Sequence, residues 1–154
     1  MSGIINSAGS RSGIVDIEGS NRPKFIATGG VTFYNGAYTK EYTDVWYNSD
    51  GQYLNSDGKF TCTIPGIYQF GMCTYTTDEN HDEGDWSGFR ITGSNVSGNF
   101  DVAGFSQATG SDASETATFI WPMESAMVCR VLTTHTLDNS ATRHLFYGIY
   151  IGAN

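Results

Sequence analysis

The chain is short of charge, and the charge it has is mostly of one sign. Only 16% of its 154 residues are charged, with eight Lys or Arg against sixteen Asp or Glu, for a formal net charge of −8. No Lys/Arg cluster occurs. Nucleic-acid binding requires phosphates to be neutralised, and a polybasic membrane contact requires a run of cations, so neither partner is expected. Cysteine is scarce and odd in number: Cys62, Cys73 and Cys129 have no C-x-x-C spacing. That excludes a disulfide framework and a zinc knuckle, and leaves the three as small buried hydrophobes. His81, His135 and His144 show no ligand spacing either, so zinc is not expected. There is no helical periodicity and no apolar run long enough to cross a membrane, so no membrane insertion is expected. The opening MSGIINSAGS lacks the basic and apolar regions of a signal peptide, which predicts a protein made and kept in a cytoplasm or packaged from one. No G-x-S-x-G elbow, phosphate-binding G-x-x-x-x-G-K-[ST] loop or G-x-G-x-x-G turn is present. A carboxylate pair defined only by separation in space is the one route to catalysis left open, and the expectation is a protein that is not an enzyme.

What the chain does have is aromatic residues and glycine. Three Trp, nine Tyr and nine Phe supply a core, and nineteen Gly against three Pro suit short strands joined by tight turns. One domain is expected at this length. From Gly29 onward, apolar–polar alternation and turn pairs such as Asn35-Gly36, Asp50-Gly51 and Asp57-Gly58 recur at short spacing. The strand readings are Val31–Tyr34, Asp44–Asn48, the Phe60 and Tyr68 runs, Gly88–Thr92, Phe100–Val102, Thr116–Trp121, Ala126–Leu132 and His144–Ile151. Pro122–Ser125 reads as a turn. Eight to ten short strands in this rhythm predict an all-β antiparallel sandwich.

The most informative stretch runs from Tyr42 to Tyr75. Phe60, Cys62 and Ile64 share one face of a strand, Pro65-Gly66 turns the chain, and Tyr68, Phe70 and Met72 share one face of the next. Tyr42, Asn48, Tyr53, Phe60, Gly66, Tyr68 and Phe70 fall at the spacings of a motif ending in G-x-Y-x-F-x-aromatic. In this the stretch resembles the C1q/TNF-like jelly roll, with Tyr42 standing where Phe is usual and Met72 where the last aromatic should be. Leu145–Ile151 resembles the family's last strand. That strand is apolar on both faces, and a strand of that kind in an antiparallel sandwich needs a cover from outside. The resemblance implies a homotrimer, with Gln69, Gly71 and Cys73 together with Phe146, Gly148 and Tyr150 facing the three-fold axis. It places Phe60, Cys62, Tyr68, Phe70, Tyr147 and Ile149 in each protomer's own core.

Residues 1–27 break the rhythm: Ser and Gly separate the isolated apolar pairs Ile4-Ile5 and Ile14-Val15. Such a segment cannot bury enough surface to offset its ordering entropy. It reads as an N-terminal attachment arm, with residues 28–154 forming the jelly-roll domain. The opening resembles the starts of small marine bacteriophage virion proteins that carry C1q-like domains. The resemblance implies a virion structural protein, a capsid decoration or surface knob, held to other virion proteins by the arm. The alternative is a receptor- or glycan-binding tail-fibre or adhesin module meeting the host surface. Against the tip of a long fibre, only about thirty irregular residues precede the domain.

Residues 78–85 form an acidic run, DENHDEGD, with Asp78, Asn80 and Asp82 at the first, third and fifth positions of a D-x-N-x-D calcium loop. Gly84 stands one place late and Phe89 occupies the position of the bidentate Glu. The expectation is a solvated acidic loop with at best weak calcium affinity and no other cofactor. Trp46, Trp86 and Tyr38 lie near polar residues and read either as core at strand ends or as surface anchors.

Overall fold

The computed structural model describes residues 22–33, 40–76, 87–93, 96, 100–105, 113–133 and 144–153. The arm pairs Ile4-Ile5 and Ile14-Val15 lie outside the described residues, as do Asp78, Asn80 and Asp82 of the acidic run, Trp86 and Tyr38.

The described chain is a two-sheet antiparallel sandwich. Its strands are β1 (Lys24–Phe33), β2 (Lys40–Asn48), β3 (Tyr53–Leu54), β4 (Lys59–Thr61), β5 (Gly66–Thr76), β6 (Ser87–Thr92), β7 (Phe100–Phe105), β8 (Ala113–Met123), β9 (Val128–Thr133) and β10 (Leu145–Gly152). The first sheet has the order β2-β1-β10-β5-β8 and the second β3-β4-β9-β6-β7. Consecutive strands either pair directly, as β1 with β2, β3 with β4 and β6 with β7, or switch sheets, and the last strand returns to lie between β1 and β5. This is the long-return connectivity of a jelly roll.

Alternation in each strand sends one row of side chains between the sheets. Phe25 lies at the centre of that layer. Its ring stacks on Tyr53 at 4.8 Å and 6°, meets Phe60 at 5.3 Å, and receives the edge of Phe146 at 4.8 Å. Phe70 continues the cluster to Phe119 at 5.4 Å, and Phe119 meets Phe89 at 4.6 Å. Offset and edge-on aromatic pairs of this kind add stabilisation beyond the area they bury. Asn48 ends β2 and holds Tyr53 in place: its Nδ2 donates to the Tyr53 carbonyl at 2.8 Å and its Oδ1 accepts from the Tyr53 N–H at 3.2 Å. The Tyr68 hydroxyl donates to the Ile64 carbonyl at 2.7 Å, which satisfies a polar tip inside an apolar layer.

Two sequence readings are corrected here. The domain begins before residue 28, because β1 starts at Lys24 and both Phe25 and Ala27 are core residues. Burial alternates there, with Phe25 and Ala27 inward and Ile26 outward, but apolar Ile26 removes the apolar–polar alternation that would mark a strand. Pro122 does not turn the chain but lies inside β8, opposite Ile67 of β5. Because β8 is an edge strand, a residue without an N–H fits there. The turn comes at Ser125-Ala126, where Ala126 adopts φ 68° and donates its N–H to the Cys62 carbonyl at 2.8 Å.

Phe25→Ala is expected to destabilise the domain by about 3–5 kcal/mol through lost transfer energy and the cavity left behind. The shift of a urea unfolding midpoint checks this, and a change under about 1 kcal/mol would return residues 22–27 to the arm.

Candidate functional site

The face of the first sheet turned away from the sandwich has little charge and much apolar surface. Facing residues in an antiparallel ladder project to the same side, so the registers give this surface row by row. One row runs Tyr47–Ile26–Tyr147–Gly71–Thr118, and the next Lys24–Ile149–Gln69–Ile120. A third holds Thr28, Leu145, Cys73 and Thr116. On β10, β5 and β8 the described outward positions carry no charged residue. Ile120 is 61% exposed and Ile149 45%, with Ile26, Tyr47 and Ile151 also exposed. Between β2, β1 and β10 the surface dips into a groove of about 500 Å³ lined by Lys24, Ile26, Tyr47, Leu145, Tyr147 and Ile149. Gly71 lets the Tyr147 ring lie against the strand, since a Cβ there would meet Cε1, Cζ and Oη and push the ring aside. Tyr147 then accepts a hydrogen bond from Gln69 Nε2 at 3.5 Å.

The structure separates residues that the sequence reading grouped. Gln69, Gly71 and Cys73 lie on the outer face, whereas Phe146 is fully buried and Gly148 faces the rings of Phe25 and Phe70. Tyr150 is half-buried and packs on the core, with its ring 5.2 Å from Tyr68. Tyr147 and Ile149, read as core, are instead the outward residues of β10. The physical reason is register. Gly148 lies opposite Phe70, and Tyr147 opposite Gly71, so the inward face of β5 fixes the inward face of β10. A strand apolar on both sides carries no such information in its own pattern. Phe60, Cys62, Tyr68 and Phe70 are buried in the core.

Sequence reasoning passed over Ile26 and Ile120, the first because it sat in the supposed arm and the second because exposure at an edge leaves no mark in alternation. Trp46 is 76% exposed. It is the extra residue of a bulge, since Ile26 faces Tyr47 and Ala27 faces Val45 with nothing opposite Trp46. Bulges on edge strands re-aim a side chain, and this one turns an indole to solvent.

None of the three thiols is poised as a nucleophile. Burial pushes each above the ordinary cysteine value, most strongly for the fully buried Cys129, and the thiolate is the reactive form. No group of three or more His, Cys, Asp or Glu gathers into a metal site among the described residues.

Phe146→Glu is expected to place an unpaired carboxylate in the core at a cost of about 3–5 kcal/mol, whereas Ile149→Glu, on the outward side of the same strand, should keep the native sheet signal in circular dichroism. The reverse outcome would restore the discarded facing of β10.

Comparison with known proteins agrees with this geometry. Residues 25–103, just over half of the chain, match the model of the C1q domain. The globular domain of the zebrafish complement 1qA protein superposes with a TM-score of 0.63 at 13% identity, covering 86% of this chain and 100% of that one. Murine APRIL superposes at 0.66 with 8% identity, over 84% and 98% of the two chains. The Eiger TNF of S. frugiperda gives 0.60 at 13% identity, over 86% and 96%. None of the curated proteins matches.

Proposed function

Because this chain belongs to the C1q-domain family, whose members are non-catalytic binding or structural modules that typically form homotrimers, we propose that it works as a homotrimer closed through the outer face of its first sheet. The observation that carries this is the lack of charge on the outward positions of β10, β5 and β8, combined with exposed Ile120, Ile149 and Ile26. A contiguous apolar surface of this kind marks an association site on a water-soluble module. Gln69, Gly71, Cys73, Tyr147 and Ile149 then face neighbouring protomers, and Phe146 and Gly148 support the strand from within.

The role we assign to the trimer is that of a virion structural protein, a capsid decoration or surface knob, docked to other virion proteins through the segment before Arg22. The support is the likeness of the opening residues to virion proteins and the change of composition before β1. A second reading, a receptor- or glycan-binding module of a tail fibre or adhesin, is favoured by Trp46, whose indole is exposed on an edge bulge. Aromatics so placed anchor interfaces and stack on sugars.

Multi-angle light scattering should return three times the chain mass for the wild type, and Ile149→Glu should shift the particle toward monomer. A wild-type monomer at micromolar concentration would end the trimer reading. Deleting residues 1–21, which spares β1, should leave melting nearly unchanged and abolish incorporation into particles. Normal incorporation of that variant, seen by imaging purified particles, would move docking onto the jelly roll itself.

A further inference from the structure

The groove on the first sheet has two unlike ends. Ile26 stands between Tyr47 on β2 and Tyr147 on β10, so two tyrosines flank a shorter aliphatic side chain. Along β1 the groove runs from Leu145, opposite Thr28, past Ile26 to Lys24 beside Ile149. Four residue steps of a strand span about 13 Å at ~3.3 Å each. The volume of about 500 Å³ lies within the roughly 300–1,000 Å³ of small-molecule sites. Lys24 is the one charged residue among the described residues that line it. Its backbone is anchored: the N–H donates to Ser49 Oγ at 2.8 Å, and that oxygen lies 3.2 Å from the Lys24 carbonyl. Its ammonium lies 5.1 Å from the centre of the Tyr47 ring, and no carboxylate among the described residues pairs with it. At the far end Asp44 stands opposite Thr28. One end of the groove attracts an anion, and the other repels it.

We propose that this groove binds a free single-chain amphiphile with a carboxylate head, a fatty acid in chemical class. The alkyl chain lies over Ile26 between the two tyrosines, and the carboxylate meets Lys24 Nζ. The shape and the charge select this ligand together. A straight apolar trough suits a linear chain, and each methylene taken from water adds affinity. One cation at one end suits a ligand charged at one end, and Asp44 fixes which way the chain lies. A bilayer is the wrong source, because holding an anionic surface takes a cluster of cations and this chain carries a net charge of −8. Tyr147 and Ile149 belong both to the groove and to the face assigned to the trimer. A bound chain therefore competes with a neighbouring protomer for these two side chains, and ligand and assembly weaken each other reciprocally. Only this competition rests on the trimer reading; the site itself does not.

The test is isothermal titration calorimetry of the full-length protein with decanoate below its micelle concentration, with hexanoate and the neutral decanol as comparisons. Wild type should prefer decanoate to hexanoate by about two- to fourfold per methylene. Lys24→Gln should weaken decanoate about fivefold and leave decanol unchanged, with Lys24→Arg retaining decanoate. Ile26→Asp, at an exposed position, should abolish binding of both with an unchanged melting curve. Should that variant fail to fold, Lys24→Gln with the decanol comparison decides the site alone. Equal decanoate binding by wild type and Lys24→Gln would overturn the placement of the head. Binding without dependence on chain length would overturn the amphiphile as occupant. No binding by wild type, with Ile26→Asp lowering the particle mass, would give the groove to a second copy of the chain and overturn the proposal. In light scattering, saturating decanoate should lower the wild-type mass, and an unchanged mass with decanoate bound would overturn the competition. A wild type that is monomeric without decanoate yet binds it through Lys24 would overturn the trimer reading and support the site.

Discussion

Phe70 and Gly148 lie opposite each other in the ladder between β5 and β10, and the sorting of side chains in the first sheet follows from that one register. With it, Phe146 reaches the Phe25 ring between the sheets, Gly148 leaves room for Phe25 and Phe70, and Tyr147 lies flat on Gly71 outside. Displaced by one residue, β10 would send Tyr147 and Ile149 inward and expose Phe146. Each side chain would then change faces. The register is held by volume more than by polarity: the glycines at 71 and 148 each sit beneath an aromatic ring that a Cβ would displace.

That dependence explains what could be read from the residues and what could not. The Phe60–Phe70 stretch alternates cleanly, with polar or small residues between its aromatics, so its facing is written in its own pattern. Asn48 and Tyr53, which match the jelly-roll motif, form a side chain-to-backbone clamp; the spacing itself reports a contact. β10 is the opposite case. Both its faces are apolar, so its facing is set by a strand seventy-odd residues away in sequence (Gly71 to Tyr147), and no local count can supply it. Phe25 was hidden for another reason: the Ser/Gly composition upstream overshadowed a short apolar run, Phe25-Ile26-Ala27, whose partner, β10, lies at the far end of the chain. The exposed ends, Ile120 and Trp46, belong to edge strands, where alternation does not distinguish a side chain facing solvent from one facing a neighbouring molecule.

The two outer faces divide the surface by chemistry. The outer face of the first sheet offers aliphatic and aromatic side chains with threonines and no charge along β10, β5 and β8; that of the second carries Lys59, Arg130 and Arg90 in one row with Asp57 and Asp101 paired at its ends. On the proposed trimer, the first sheet makes the self-contact and the second is left to differ, because the core between them separates the two sets of constraints. Substitutions on one outer face have few packed neighbours in common with the other, and their effects should add.

Pro122 within β8 has a consequence for how assembly stops. β8 is an eleven-residue edge strand, and an unpaired edge of that length is a template on which further strands can be added without limit. A proline withholds one donor from any incoming strand and its ring obstructs close approach. Growth by strand addition at β8 is therefore frustrated locally, while lateral contact between sheet faces is untouched. If the proposed trimer closes through the apolar face, the edge therefore favours small closed particles over fibrils.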